Sequence, residues 1–370
     1  MDKKSEVHIL RKTLTEIFVR NGLMLRFGLD LGTKNIVLSF KDAEGKIKYR
    51  KEVNGFFKIP NDKQFAKNML TQAGVPHIEY GSSFVALGSK AEELAYTFNK
   101  TLRRPMSDGV LSSGEEDSIE IMASIVQSLI GEIKDDGILY YCVPAKALNR
   151  NINVDFHQKV AQMIINGYAS KTGKKLQGHA INEAHALVLA SIPDKTGIGI
   201  SFGAGMVNVS YCLFGIPVFN FSLVGSGDWI DIESAKQFGF DPTRPDGDYK
   251  HTPTSICKAK ESTSLREMPS EPTKRAIYIN YQILMESVIN GIVKGFKDNE
   301  DKARVARPMP IVLAGGTSSP DGFIEMFKDQ LTKAGPAFAV GDITRPEKPL
   351  FTVAEGCLIA AELHDIKETK

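Results

Sequence analysis

Cysteine is scarce in this 370-residue chain: Cys142, Cys212, Cys257 and Cys357 stand far apart, and no two form a CxxC pair. Free thiols in a reducing compartment are expected from that, rather than a disulfide framework or a thiolate metal site. Long apolar runs are missing as well, and no secretory signal pattern is present, so the expectation is a soluble, cytoplasmic protein. Net charge is nearly absent. With 46 Lys+Arg against 44 Asp+Glu, the formal balance of +2 gives no electrostatic reason to expect nucleic acid or an anionic membrane. The single tryptophan, Trp229, and the Phe56-Phe57 pair read as core anchors rather than as stacking platforms for bases. Hydrophobic content of 42% and charged content of 24% are ordinary for a globular chain, and the length favours two domains over one core.

What the chain does contain is one stretch written twice. Residues 27–40 and residues 198–211 each read as apolar strand, glycine turn, then alternating β-branched strand. That is the grammar of a β-hairpin. The turns are Gly32-Thr33-Lys34-Asn35 and Gly203-Ala204-Gly205. Glycine turns of this kind can bring backbone N–H groups close to an anionic ligand. A third strand follows each copy, near 47–53 and 215–223, which points to internal duplication.

Taken in order, residues 2–21 place Val7, Leu10, Leu14, Ile17 and Phe18 on one helical face. This predicts an amphipathic extension over residues 1–24, packed on its own domain or set against a membrane or partner. The irregular text between 54 and 110 suggests a small subdomain inserted in the first lobe. Helices are predicted at 115–132 and 154–171, a buried strand at 137–144, and a small-residue helix at 181–190. The order before the second hairpin is thus strands, helix, strand, helix, helix. Segment 241–254 reads as loop and 276–297 as a strong amphipathic helix, while Pro310 to Ser318 reads as a strand closing on a glycine turn. His179 and His185 are expected to lie on a solvated or packed helix surface rather than to bind metal or act as acid or base, and Lys171, Lys174 and Lys175 to be a solvated turn.

These motifs resemble the actin superfamily, and within it the bacterial actin-like filament proteins of the MreB and MamK type. Gly28 to Asn35 looks like the first phosphate loop, and Ser201 to Gly205 the second. The helix with Asn182-Glu183-Ala184 is similar to the first connecting helix, and Val353 to Cys357 to the second. Ala314-Gly315-Gly316-Thr317 resembles the adenosine motif. Arg104 to Val110 is similar to a turn of the bacterial actins, and Lys260-Glu261 to a pair placed at the nucleoside. The resemblance implies an α/β actin-like ATPase fold of two related ribonuclease-H-like lobes with a nucleotide cleft between them. It implies a first lobe at 25–180, a second at 181–350 with a small subdomain near 228–300, and a C-terminal helix at 351–370 returning to the first. ATP or ADP with Mg²⁺ is the implied ligand. Gly32, Thr33, Lys34, Asn35, Gly203, Ala204 and Gly205 would take the phosphates. Gly227, Lys260, Glu261, Gly315, Gly316 and Thr317 would hold the nucleoside, and Asp30 the metal and its waters. The implied partner is the chain itself, as a cytoskeletal filament gated by nucleotide state.

Departures from the family pattern are equally specific. The second phosphate loop begins with Ser201 where the family has Asp, and Met206-Val207 replaces a threonine pair. No carboxylate occurs between Pro144 and Asp155, where the resemblance implies one that positions the attacking water. Asn208 or Asp155 are the remaining candidates to orient that water. Slow or altered hydrolysis is expected. The alternatives are a non-polymerising pseudo-ATPase scaffold and a small-molecule kinase on the same fold.

Overall fold

The computed structural model describes residues 24–364, apart from residues 60–62, 81–82, 99–100, 113, 116, 169, 172, 246 and 304–306. The amphipathic segment read at 2–21 lies outside the described residues. The chain forms two compact units. The first takes in Met1–Tyr141, Asp155–Ala180 and Ala361–Lys370, and the second Cys142–Val154 and Ile181–Ala360.

In the first unit, β1 (Leu25–Leu31) and β2 (Asn35–Lys41) form the first hairpin, and β3 (Ile47–Val53) continues the meander. An insert follows, built on a separate sheet of β4 (Phe56–Lys58), β5 (His77–Tyr80) and β6 (Ser83–Leu87), with α1 (Lys63–Gln72) and α2 (Gly88–Thr97). Phe57, Ile59, Leu70, Val75, Phe84 and Ala91 form a small core of its own. A two-stranded ribbon, β7 (Met106–Ser107) and β8 (Val110–Leu111), turns through Asp108 and Gly109, both at positive φ. Helix α3 (Ser118–Ile130) leads to β9 (Gly137–Val143), every residue of which is buried. Such a continuous apolar strand suits the interior of a sheet covered on both faces.

After α4 (Val154–Asn166), the structure departs from the sequence reading. A strand, β10 (Leu176–Asn182), stands before α5 (Glu183–Ser191), where two successive helices were expected. The strand is hard to read because it sits at a sheet edge and carries Gly178 and His179 in place of a β-branched run. Helix α4 also stops earlier than 171, at Asn166, with Gly167 next.

The second unit repeats the first. Its hairpin is β11 (Gly197–Phe202) with β12 (Met206–Leu213), followed by β13 (Ile216–Val224). Helices α6 (Gly227–Lys236), α7 (Pro253–Glu261), α8 (Pro272–Asp298) and α9 (Glu300–Ala303) come next. Then follow β14 (Met309–Ala314), α10 (Phe323–Ala334), β15 (Val340–Thr344) and α11 (Thr352–Glu362). The two main sheets run β3-β2-β1-β9-β10 and β13-β12-β11-β14-β15, so the hairpin-plus-strand pattern heads the same five-strand order twice. In both, the first hairpin strand pairs in parallel with the strand beyond it, β1 with β9 and β11 with β14. Edge strand β15, largely exposed, escaped the sequence reading for the same reason as β10.

Alternation along β11 divides its side chains between two faces of the sheet. Ile198, Ile200 and Phe202 point into a core shared with Ile277, Tyr281, Leu284, Val288 and Ile292 of α8. Gly199 and Ser201 therefore point to the opposite face, where α5 lies.

Candidate functional site: a carboxylate beside the second glycine turn

Residue 199 has no side chain, and the geometry requires that. A Cβ there would lie 2.5 Å from the Ala184 carbonyl oxygen and 2.9 Å from Val188 Cγ2, so α5 can approach β11 only over glycine. Asn182 caps α5, its side-chain oxygen accepting from the His185 amide at 3.1 Å. Close approach and cap together fix Glu183, the first residue of the helix.

Its carboxylate spans two strands. Ser201 and Asn208 are directly paired across the β11–β12 ladder, so their side chains emerge side by side. Ser201 Oγ donates to Glu183 Oε1 at 2.6 Å, and Asn208 Nδ2 donates to Glu183 Oε2 at 2.7 Å. Asn208 Oδ1 in turn accepts from the Ala145 amide at 3.2 Å. Both donors are essentially excluded from solvent while Glu183 is half-buried. Charge-assisted bonds of this kind fix a carboxylate more firmly than neutral ones do. Glu183 thus stands as a carboxylate bridging β11 and β12. Sequence reasoning missed it because Glu183 is brought to the turn by the close packing of α5, not by chain proximity.

The turn itself is stitched to the start of α6. Gly225, Gly227 and Asp228 amides donate to the carbonyls of Gly205, Gly203 and Ala204 at 3.0, 3.3 and 2.8 Å. Thr317 Oγ1 donates to the Gly203 carbonyl at 2.7 Å. The carbonyls are spent in this way, whereas the Ala204 and Gly205 amides meet no protein acceptor among the described residues. A Cβ on Gly227 would lie 2.5 Å from Thr317 Oγ1, 3.4 Å from Lys260 Nζ and 3.5 Å from Ala204 Cα. Gly203, Ala204, Gly205, Gly227, Lys260 and Thr317 are therefore one cluster, and Gly315 and Gly316 enter it on the short 3₁₀ turn 316–318. No atom approaches within 4 Å of the Cβ position of Gly316.

Lys260 is buried. Its ammonium donates to the Gly227 carbonyl at 2.7 Å and lies 2.7 Å from the Asp231 carboxylate. Burial raises the Asp231 carboxyl above its ordinary range, against the downward pull of Lys260. Glu261, the next residue, faces solvent. Of that pair only Lys260 joins the cluster.

The first unit holds the matching turn. A Cβ on Gly32 would meet the Asn35 carbonyl oxygen at 2.5 Å, just as one on Gly203 would meet that of Met206 at 3.0 Å. Buried Asn54 pins this turn, its Nδ2 donating to the Gly32 carbonyl and its amide to the Lys34 carbonyl, both at 2.9 Å. Thr33 is buried, while Lys34, Asn35 and Asp30 are half-buried, with Asp30 near the end of β1. Asp155 is exposed at the start of α4 in this unit. All four cysteines carry free thiols, and burial pushes that of Cys212 up to about 11.

The sequence model of the Volactin family matches residues 25–361. The chain belongs to the volactin family. Among solved structures, this volactin-family chain is similar to a MamK double helical filament, with 19% identity, a TM-score of 0.67, and coverage of 92% of this chain and 99% of that one. It is similar to a non-polymerising MamK mutant bound to AMPPNP, with 21% identity, a TM-score of 0.54 and the same coverages of 92% and 99%. Ethanolamine utilization protein EutJ from Carboxydothermus hydrogenoformans aligns at 15% identity and a TM-score of 0.50, over 93% of this chain and 92% of that one. No curated protein is significantly similar in sequence. The fold is the actin-like ATPase fold, as the motifs had implied. Among the described residues, no helix is long and apolar enough to cross a membrane.

Proposed function

We propose that this chain is an ATP-binding, actin-like cytoskeletal protein that assembles into filaments of itself and hydrolyses ATP slowly through Glu183. The observation that carries the reading is the Glu183 carboxylate, held by Ser201 and Asn208 beside a glycine turn with two uncommitted amides. Those amides and the duplicated turn in the first unit suit phosphate oxygens. Lys260, Gly227, Gly315, Gly316 and Thr317 suit the nucleoside.

The donor chemistry also fits Mg²⁺, which prefers carboxylate and water oxygens. Asp30 would hold it through its waters, and the ion would supply charge neutralisation for the phosphates. The chain's own residues do the rest. Ser201 and Asn208 donate to the Glu183 carboxylate and keep it oriented. Orientation of a nucleophilic water is the main demand that phosphoryl transfer makes on side chains. Ser201 in place of a carboxylate removes one negative charge from the second turn, and slow turnover is the expected consequence.

The likeness to a MamK double helical filament supports self-association. A second reading, a pseudo-ATPase scaffold, is favoured by Ser201 alone. The test is binding of ATP with Mg²⁺ followed by phosphate release over hours. Glu183→Gln should bind ATP as tightly as wild type while releasing phosphate about 10²-fold more slowly or less. Equal phosphate release from both proteins refutes the role of Glu183, and none from wild type leaves the scaffold reading standing.

A further inference from the structure

Beyond β9 and Pro144, residues 145–149 lie along β13, the outer strand of the second sheet, and strap and strand belong to the same unit. An outer strand leaves a row of backbone groups to be satisfied. The strap meets them in parallel: Ser222 N donates to the Lys146 carbonyl at 3.0 Å, and Leu148 N donates to the Ser222 carbonyl at 2.9 Å.

Its two ends are attached to different parts of the candidate site. Ser201, Asn208 and Ser222 stand on one rung across β11, β12 and β13, and all three are buried. Residues on a rung share a face of the sheet, so Ser222 points to the side of the two donors to Glu183. Ser222 Oγ donates to the Ala145 carbonyl at 2.8 Å, and the Ala145 amide donates to Asn208 Oδ1 at 3.2 Å. With its oxygen held there, Asn208 turns its Nδ2 to Glu183. At the far end, the Asn149 side chain imitates a peptide unit. Its Oδ1 accepts from Val224 N at 2.9 Å, and its Nδ2 donates to the Val224 carbonyl at 2.8 Å. Val224 ends β13, and the next residue, Gly225, at φ 94°, donates its amide to the Gly205 carbonyl of the second glycine turn. Asn149 itself is exposed, so its two bonds add nothing to a core.

We infer that the strap 145–149 positions both halves of the site, with Ser222 and Asn149 as its two positioning residues. Ser222 acts through Ala145 and Asn208 on the Glu183 carboxylate. Asn149 acts through Val224 and Gly225 on the turn that carries the Ala204 and Gly205 amides. The inference rests on the proposed ATP reading. Because one end serves the carboxylate and the other the phosphate-binding turn, their effects separate into rate and affinity.

The test compares full-length wild type, Ser222→Ala and Asn149→Ala by calorimetric titration of ATP with Mg²⁺, by phosphate release at saturating ATP and by urea unfolding. Asn149→Ala loses two hydrogen bonds, and should bind ATP about tenfold more weakly while releasing phosphate within about twofold of wild type. Ser222→Ala should bind within about twofold of wild type and release phosphate about tenfold more slowly, since small misplacements of a positioned group cost rate steeply. Affinity, rate and unfolding midpoint falling together in both variants, or both variants matching wild type, overturns the assignment and leaves the ATP reading intact. Wild type that binds ATP without releasing phosphate overturns the Ser222 arm, and the affinity of Asn149→Ala still decides the other. Wild type that does not bind ATP overturns the ATP reading and the assignment with it.

Discussion

Replacing Asn208 by Asp changes almost no volume, yet it converts the buried donor 2.7 Å from half-buried Glu183 into a second carboxylate oxygen. Two unit charges about 4 Å apart repel by about 4 kcal/mol at an effective dielectric near 20. The pair can escape by binding a proton. Keeping one carboxyl protonated at pH 7, against an ordinary pKa near 4, also costs about 4 kcal/mol. Both routes give a destabilisation of about 4 kcal/mol at neutral pH. Its sign with pH comes from linkage. The folded pair holds its proton more tightly than the unfolded chain does, so stability is intact below about pH 4 and is lost as pH rises through the folded value. Urea unfolding at pH 5 and pH 8 checks this, read by the fluorescence of Trp229, the single tryptophan and a residue of the second unit. The midpoint of Asn208→Asp should fall far more at pH 8 than at pH 5, and adding Glu183→Gln should restore it. Equal losses at the two pH values, or no rescue by the second substitution, would refute the bridging role of Glu183.

The same geometry predicts three further outcomes. Gly199→Ala forces α5 off β11, because its Cβ would lie 2.5 Å from the Ala184 oxygen; a loss of about 1–3 kcal/mol in urea unfolding is expected, with slower phosphate release. His157 is buried with both ring nitrogens unpartnered, and burial pushes it down to about 4. Its depressed value means that stability is fully present above about pH 6.5 and declines by about 3 kcal/mol as pH falls to 4, a slope that His157→Phe should flatten in far-UV circular dichroism melts. Ser201→Asp sets a carboxylate against Glu183 Oε1, 2.6 Å from the present hydroxyl. Its melting temperature should drop without Mg²⁺ and recover with the ion and ATP more than wild type gains, as differential scanning fluorimetry would detect.

Much of this architecture was legible in the residues. The doubled hairpin and the third strand after each copy were readable, because strand, glycine turn and strand are encoded locally. The strong apolar periodicity of 276–297 gave α8, which runs Pro272–Asp298. Strands β10 and β15 were not legible: both are edge strands, one interrupted by Gly178 and His179, the other mostly solvent-facing. Helix α7 hid behind a run of Pro, Asp and Thr, although Thr252 and Ser255 form the capping box that starts it. The site was half legible. The repeated glycine turn marked Gly203 to Gly205 and the family resemblance pointed to Gly227 and Thr317, which lie beside one another, but the link between Glu183 and Ser201 is tertiary. Only the missing Cβ of Gly199 signals it, and a glycine in a strand has too many other meanings to be read that way alone.

Calorimetric titration of ATP with Mg²⁺ into wild type and Gly227→Ala tests nucleotide binding at the glycine cluster most directly. A Cβ at 227 would intrude 2.5 Å from Thr317 Oγ1 and 3.4 Å from Lys260 Nζ. Saturable binding to wild type, weakened by tenfold or more (about 1.4 kcal/mol) in a Gly227→Ala protein that still unfolds cooperatively, is the predicted result. No heat of binding to wild type, or identical affinities for the two proteins, would contradict the account.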